Sequence, residues 1–178
     1  MKLVRSGLHE LLPLQRSPGL HVSEIIRRLC LDMGRFKDTQ TSPNQVLFEL
    51  GLAFEDVVAG ALAARVAQSQ PDRYLRPGEF LIDGIACTPD LIDLIEWMPL
   101  EVKLTSLSSR HDPASMKFWH WWTQIKAYSK AIDSLKGQLH VCHYYGDYAG
   151  SGPVYHVWEE EWSREEIDET WRMICRHR

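Results

Sequence analysis

Ile85-Ala86-Cys87-Thr88-Pro89-Asp90-Leu91-Ile92-Asp93-Leu94-Ile95, then Glu96-Trp97-Met98-Pro99, then Leu100-Glu101-Val102-Lys103-Leu104, reads as two strands joined by a turn. Side chains alternate along a strand, so Glu101 and Lys103 project together while Leu100, Val102 and Leu104 point the other way into a core. A tight turn at Trp97-Met98-Pro99 would fold the second strand back, bringing Glu101 towards Asp90. Two converging carboxylates suit a hard divalent cation, Mg²⁺ or Mn²⁺, which keeps several waters and takes substrate phosphate at its remaining positions. A neighbouring lysine then orients or deprotonates an attacking water.

Moving outward, Asp83-Gly84 is a strong hairpin signal between strands Glu79 to Ile82 and Ile85 to Ile95. Pro89 lacks the N–H a ladder needs, so it belongs at an edge or a break, displaying Asp90 there. Asp93 is the competing acid and lies on the opposite face of a regular strand. Further on, Gln138 to Tyr145 and Val154 to Trp158 read as strands, with the turn-rich 146–153 between them.

The helices frame this strand group. Ser42-Pro43-Asn44-Gln45 is a capping-box start with proline at the first helical position, and apolar residues at helical spacing follow to about Ala67. Glu55 sits within that helix, either turned to solvent or towards the carboxylates, with Gly51 one turn earlier leaving room for an approach. Asp112-Pro113 signals a second helix running to about Ile132, on which His120, Gln124 and Tyr128 share a face. Its Trp119, Trp121 and Trp122 cover too much circumference to fit one stripe, so at least one indole has to pack elsewhere or face outward. Ser23 is positioned to cap a short helix through Leu31, with Gly34 as its stop, and Ser163-Arg164-Glu165-Glu166 is a second capping box opening a helix to about Arg176. Residues 1–20 read as an N-terminal arm.

Pro89-Asp90, Glu101-Val102-Lys103 and Gln124-Ile125-Lys126-Ala127-Tyr128, in that order, resemble the signature of the PD-(D/E)XK nuclease superfamily, in its RecB-like and lambda-exonuclease-like (YqaJ-type) branch with the added Q-x-x-x-Y motif. The resemblance implies an α/β fold with a restriction-endonuclease-like core, a central mixed β-sheet flanked by α-helices. It also implies a metal-dependent DNA nuclease, an exonuclease of phage or bacterial recombination or repair type. Asp90 and Glu101 would ligate Mg²⁺ or Mn²⁺ with the Val102 carbonyl, and Glu55 would join them or serve a second ion. Lys103 would position or activate water, and Gln124 and Tyr128 would hold the substrate or nucleophile. The same resemblance covers structure-specific endonucleases, and a non-catalytic DNA-binding or assembly subunit that kept the fold is the reading from a different class. Ring-forming relatives raise a homo-oligomer as a partner, and a recombination or replication protein as another.

Bulk properties set the frame. The chain has 178 residues, 44% hydrophobic and 25% charged, enough for one domain with its own core and no staples. No apolar run approaches the ~20 residues of a membrane span, and Pro13 interrupts Leu11-Leu12, so the expected setting is the cytoplasm with no membrane partner. Cys30, Cys87, Cys142 and Cys175 show no C-x-x-C spacing, which points to buried free thiols over zinc or an iron–sulfur cluster. His140 and His143 would face opposite sides of a strand and read as structural. No phosphate-binding P-loop and no G-x-S-x-G elbow appear. A net charge of −4 argues against a broadly basic DNA-binding surface and leaves room for a local one, from Arg27, Arg28, Arg35 and Lys37 or from Arg172, Arg176 and Arg178.

Overall fold

A computed structural model describes residues 18–35, 45–150 and 152–178. In chain order its elements are β1 (Leu20–His21), α1 (Val22–Asp32), α2 (Gln45–Val66), β2 (Tyr74–Leu75), β3 (Phe80–Ile82), β4 (Ile85–Cys87), β5 (Leu91–Asp93), β6 (Met98–Thr105), α3 (Trp119–Ile132), β7 (Lys136–His143), β8 (Val154–Glu161) and α4 (Arg164–Arg176). Two mixed sheets form, a small one in the order β1-β4-β3 and a larger one in the order β2-β5-β6-β7-β8. The expected capping box at residues 42–44 lies outside the described residues, as do residues 1–17 of the expected arm.

The expected strand Ile85 to Ile95 is two strands in two sheets. Ile85 to Cys87 pairs with β3 and β1, and Leu91 to Asp93 pairs with β6 and β2. The break falls at Thr88-Pro89-Asp90, where proline offers no N–H to continue the first ladder. Asp90 therefore emerges at the seam between the sheets. The β5–β6 turn also differs from the expected Trp97-Met98-Pro99: Met98 and Pro99 already pair with Asp93 and Ile92, and the chain reverses through residues 94–97. Trp97 takes the left-handed conformation that closes it, at φ 50°. Asp83-Gly84 forms the expected hairpin, both residues having positive φ.

β6 lies at the centre of the larger sheet, antiparallel to β5 and parallel to β7, with Glu101 opposite Leu139 and Lys103 opposite Val141. Period-two alternation puts Glu101, Lys103, Leu139 and Val141 on one face. There Leu139 and Val141 pack with Phe118, Trp121 and Ile125 of the α3 region and with Trp162 and Ile167 at the start of α4. The other face carries Met98 and Leu100, which pack with Leu91 against Ala59 and Leu62 of α2. Helices cover both faces, so Glu101 is buried on a central strand despite its charge.

Local chemistry sets where the helices start and stop. α1 buries Val22, Ile25, Ile26, Leu29 and Cys30, a stripe at helical spacing. It starts two residues earlier than expected, with His21 in the capping position and Ser23 inside the first turn. It ends in a Schellman motif on Gly34 at φ 64°, with Gly34 N–H bonded to Leu31 and Arg35 N–H to Cys30. α3 begins at Trp119 instead of Pro113: Asp112 Oδ1 accepts the Ala114 N–H at 2.9 Å in a local turn, and residues 113–118 run as linked turns into the helix. α4 has the full Ser163/Glu166 capping box.

The tryptophan run divides as its spacing requires. Trp121 is buried among Phe118 and Ile125, Trp119 lies under the Arg35 guanidinium at 4.1 Å, and Trp122 donates to the Pro113 carbonyl at 3.0 Å. Cys30, Cys87 and Cys142 are buried free thiols, and Cys175 is partly exposed. His140 and His143 are both buried: His140 contacts Gln138 and Tyr155, and His143 contacts the Leu107 carbonyl.

Gly137 on β7 is the tightest point of the α3 face. A Cβ there would overlap Ile125 and approach Trp162 to 3.2 Å. Gly137→Ala is expected to cost about 1–3 kcal/mol of stability by overpacking, read as a lower denaturation midpoint at unchanged m-value; an unchanged midpoint would contradict this packing.

Candidate active site

The seam and the central strand together build the site. β5 pairs with β6 only as far as Leu91 opposite Leu100, so beyond that point the β5 side of β6 has no strand partner. Asp90 fills the gap, its Oδ2 accepting the Val102 N–H at 2.7 Å. In an extended strand the N–H and C=O of one residue point to the same side. The Val102 carbonyl therefore points towards the Asp90 gap and is free of the β7 ladder.

Glu101 projects from the same strand towards α3. Its Oε1 accepts from Gln124 Nε2 at 2.7 Å and forms an ion pair with Lys103. Gln124 Nε2 also donates to the Tyr128 hydroxyl at 2.6 Å. One carboxylate oxygen is thus held from two sides. The other, Oε2, is buried and has no hydrogen-bond partner among the described residues. A buried carboxylate oxygen left alone is costly, and a cation at Oε2 removes that cost.

The electrostatics agree with the geometry. Burial, then the Asp90 charge, push the Glu101 carboxyl up to about 8. Burial also raises Asp90, against Lys103 and the Val102 N–H. Burial, then Asp90, push Glu55 up to about 7. Burial leads in all three, and the Asp90 charge adds to it at Glu101 and Glu55. Burial pulls the Lys103 ammonium down, but the Glu101 and Asp90 charges outweigh it and hold the group above the ordinary lysine value. Lys103 is therefore a permanent cation at neutral pH, suited to orienting water and stabilising negative charge.

Glu55 lies within electrostatic reach of Asp90, Glu101 and Lys103. It projects from α2 towards Arg76, at 3.9 Å, and Arg76 also pairs with Asp56. Among the described residues no three His, Cys, Asp or Glu side chains converge on one ion. Asp90, Glu101 and the Val102 carbonyl are the oxygen donors here that could hold an ion. That fits Mg²⁺ or Mn²⁺, which bind through one or two carboxylates and complete their shell with water and phosphate. Tyr128 is buried and bonded to the Gln124 amide, while Gln124 is half-buried and bonded to Glu101.

Two further residues belong to the surroundings. His120, one turn before Gln124, is held down at about 4 by burial and by the Lys103 and Arg35 charges, so it is neutral near the site; its place on the Gln124 face was readable from spacing. Arg76 neutralises the Glu55 side, and its sequence neighbourhood, Leu75-Arg76-Pro77-Gly78, carries no periodic signal that singles it out.

Asp93 has a different task. It is 1% exposed, pairs with Arg73 at 2.7 Å and accepts the N–H groups of Ile95 and Glu96, closing the β5–β6 turn. Asp93→Asn is expected to cost about 1–3 kcal/mol of stability and leave Mn²⁺ affinity unchanged. Asp90→Asn is expected to weaken Mn²⁺ binding by about 10- to 100-fold or more, the loss seen even for partners one step removed from a metal. Calorimetric titration of both variants checks this, and reversed effects would exchange their roles.

No protein-family model matches this sequence, and no curated protein matches it. Solved structures do match the fold. An alkaline exonuclease from Laribacter hongkongensis aligns over 89% of this chain and 85% of its own, with 12% sequence identity and a TM-score of 0.53. A phage-related exonuclease from Haemophilus somnus aligns over 86% of this chain and 77% of its own, with 9% identity and a TM-score of 0.52. At such identities the likeness is one of fold, and function has to be argued from the site.

Proposed function

We propose that this chain, whose α/β fold is the restriction-endonuclease-like PD-(D/E)XK fold of those exonucleases, is a divalent-metal-dependent DNA nuclease of exonuclease type. The observation that carries the reading is Glu101: a buried carboxylate with one oxygen clamped by Lys103 and Gln124 and the other unpartnered beside Asp90. A surface ion pair would not be buried with an orphaned oxygen, and a purely structural one would not gather three reluctant acids.

Asp90, Glu101 and the Val102 carbonyl would hold Mg²⁺ or Mn²⁺, which when bound lowers the pKa of water and neutralises phosphate charge. Lys103, kept protonated, donates to the attacking water or to a phosphate oxygen and stabilises the charge that builds up on phosphorus oxygens. Gln124 fixes the Glu101 carboxylate and contacts the substrate from the α3 wall; Tyr128 positions Gln124. Glu55, tethered by Arg76, tunes the charge of the site and is available to a second ion. No helix among the described residues is long and apolar enough to cross a membrane, and we place the enzyme in the cytoplasm as one nuclease domain.

Purified protein is tested on end-labelled linear duplex and on closed circular DNA, with Mn²⁺, Mg²⁺ or EDTA. Metal-dependent loss of label from linear ends with circles intact is the expected result. Cutting of circles would make it an endonuclease of the same fold, and metal-independent binding without cleavage at any end would make it a binding or assembly subunit. Sizing the free protein by light scattering tests whether it is a homo-oligomer.

A further inference from the structure

We propose that Tyr144, Tyr145 and Tyr148 form a stacking platform for the unpaired bases of a DNA strand at the mouth of the site. This rests on the nuclease reading and adds to it a single-stranded contact that the metal centre does not require. β6 and β7 run parallel and end side by side, and in open α/β sheets ligands gather beyond the carboxyl ends of the strands. The tyrosines sit there. Tyr145 is 59% and Tyr148 64% exposed, with ring centroids 4.5 Å apart for Tyr144–Tyr145 and 6.0 Å for Tyr145–Tyr148.

This display is built, not incidental. The segment after β7 is tied at several points to the segment after β6: the Tyr144 N–H bonds the Thr105 carbonyl at 3.1 Å, the Ser109 N–H bonds Gly146 at 2.9 Å, and the Tyr148 hydroxyl donates to the Ser106 carbonyl. Arg110 grips Asp147 through two nitrogens, at 3.1 and 2.6 Å. Gly146 turns the chain at φ 56°, where a Cβ would also meet the Gly152 carbonyl. Rings held in place before binding lose little entropy when a base stacks on them.

Position and the exposed aromatic rings point to nucleic acid as the occupant. Ser106, which holds the Tyr148 hydroxyl, lies three residues beyond Lys103, about 10 Å along the strand. The loop after β6 supplies Arg110, 71% exposed and paired with Asp147, and Lys117, which contacts His111; Asp112 of the same loop is taken up in a turn with the Ala114 N–H. Aromatic faces beside cations are the usual means of holding single strands without reading sequence.

The test measures affinity, in EDTA, for a fluorescent duplex with a single-stranded thymidine tail and for the same duplex blunt. Tyr145→Ala should weaken tailed binding on the order of tenfold, the loss of one stacked base, with blunt binding unchanged. Tyr145→Trp should restore it and Tyr145→Leu should not. Equal losses on both duplexes, rescue by leucine, or a change of oligomeric state with tailed affinity intact would each overturn the platform. Wild-type protein that cleaves DNA yet binds tails no better than blunt ends would overturn the platform alone; wild-type protein that neither binds nor cleaves DNA would overturn the nuclease reading with it.

Discussion

Lys103→Ala is expected to lower phosphodiester cleavage at saturating Mn²⁺ by about 10²- to 10⁴-fold, the range for losing a positioned acid–base group or a transition-state charge stabiliser. DNA affinity should change little, because one ammonium contributes little to a contact spread over many phosphates. The argument is electrostatic. Lys103 is held protonated by Glu101 and Asp90, and it projects from β6 on the Glu101 side. Its removal also strips Glu101 of its nearest cation, which raises that carboxyl further and weakens metal binding. The comparison therefore needs saturating Mn²⁺ and single-turnover conditions, where the chemical step is read directly. Because the ammonium stays charged at neutral pH, no step of the pH–rate profile should belong to it. A variant with unchanged turnover would remove Lys103 from the mechanism.

Metal-free protein is expected to lose thermal stability as pH rises from about 6.5 to 8, and Mn²⁺ is expected to abolish most of that loss. Glu101 and Glu55 have folded-state values of about 8 and about 7, both above the ordinary 4.5 of a glutamate. Over this window the native state binds protons that the unfolded chain has released, so stability falls as pH rises. The contribution is complete below about 4.5 and is lost as pH passes about 7 to 8. His120 and His140, held down at about 4, and His143, also lowered, act the other way below the ordinary histidine value of 6.5, so the fall is read above it; Asp168 beside Lys130 and Glu166 in its capping box lose their contribution only as pH falls through their lowered values. At about 2–4 °C per kcal/mol for a chain of this size, the fall should be several degrees. Glu101→Gln keeps the acceptor for Gln124 and removes the charge, so it should melt higher than the wild type at pH 8 without metal while losing cleavage. A flat melting temperature over this window, or a Mn²⁺ effect that survives in Glu101→Gln, would contradict the charge cluster.

Much of this site is legible in the sequence because its parts obey short-range rules. Alternation places Glu101 and Lys103 on one face, and the helical spacing of His120, Gln124 and Tyr128 places them on one stripe, whatever the rest of the chain does. The Ser163 box and the Asp83-Gly84 turn are likewise complete in a few residues. What fails depends on distant partners. The sequence signal at Pro89 could mean an edge, a bend or a break, and only the pairing of Ile85 to Cys87 with β1 and β3 decides for a break between sheets. Asp112-Pro113 has the composition of a helix start, yet the Asp112 carboxylate satisfies a local turn and the helix waits until Trp119. β1 and β2 have two residues each, too short for any period to show. Glu55 illustrates the same limit at the site: its helix is evident, but its turn towards Arg76 across 21 residues of chain is not.

The central claim is that Asp90 and Glu101 meet at one metal ion. A crystal soaked in Mn²⁺ and measured at the manganese absorption edge tests it most directly. The account predicts an anomalous peak touching the Glu101 oxygen that now lacks a partner, an Asp90 carboxylate oxygen and the Val102 carbonyl. A peak centred on other residues, or none at saturating Mn²⁺, would contradict it.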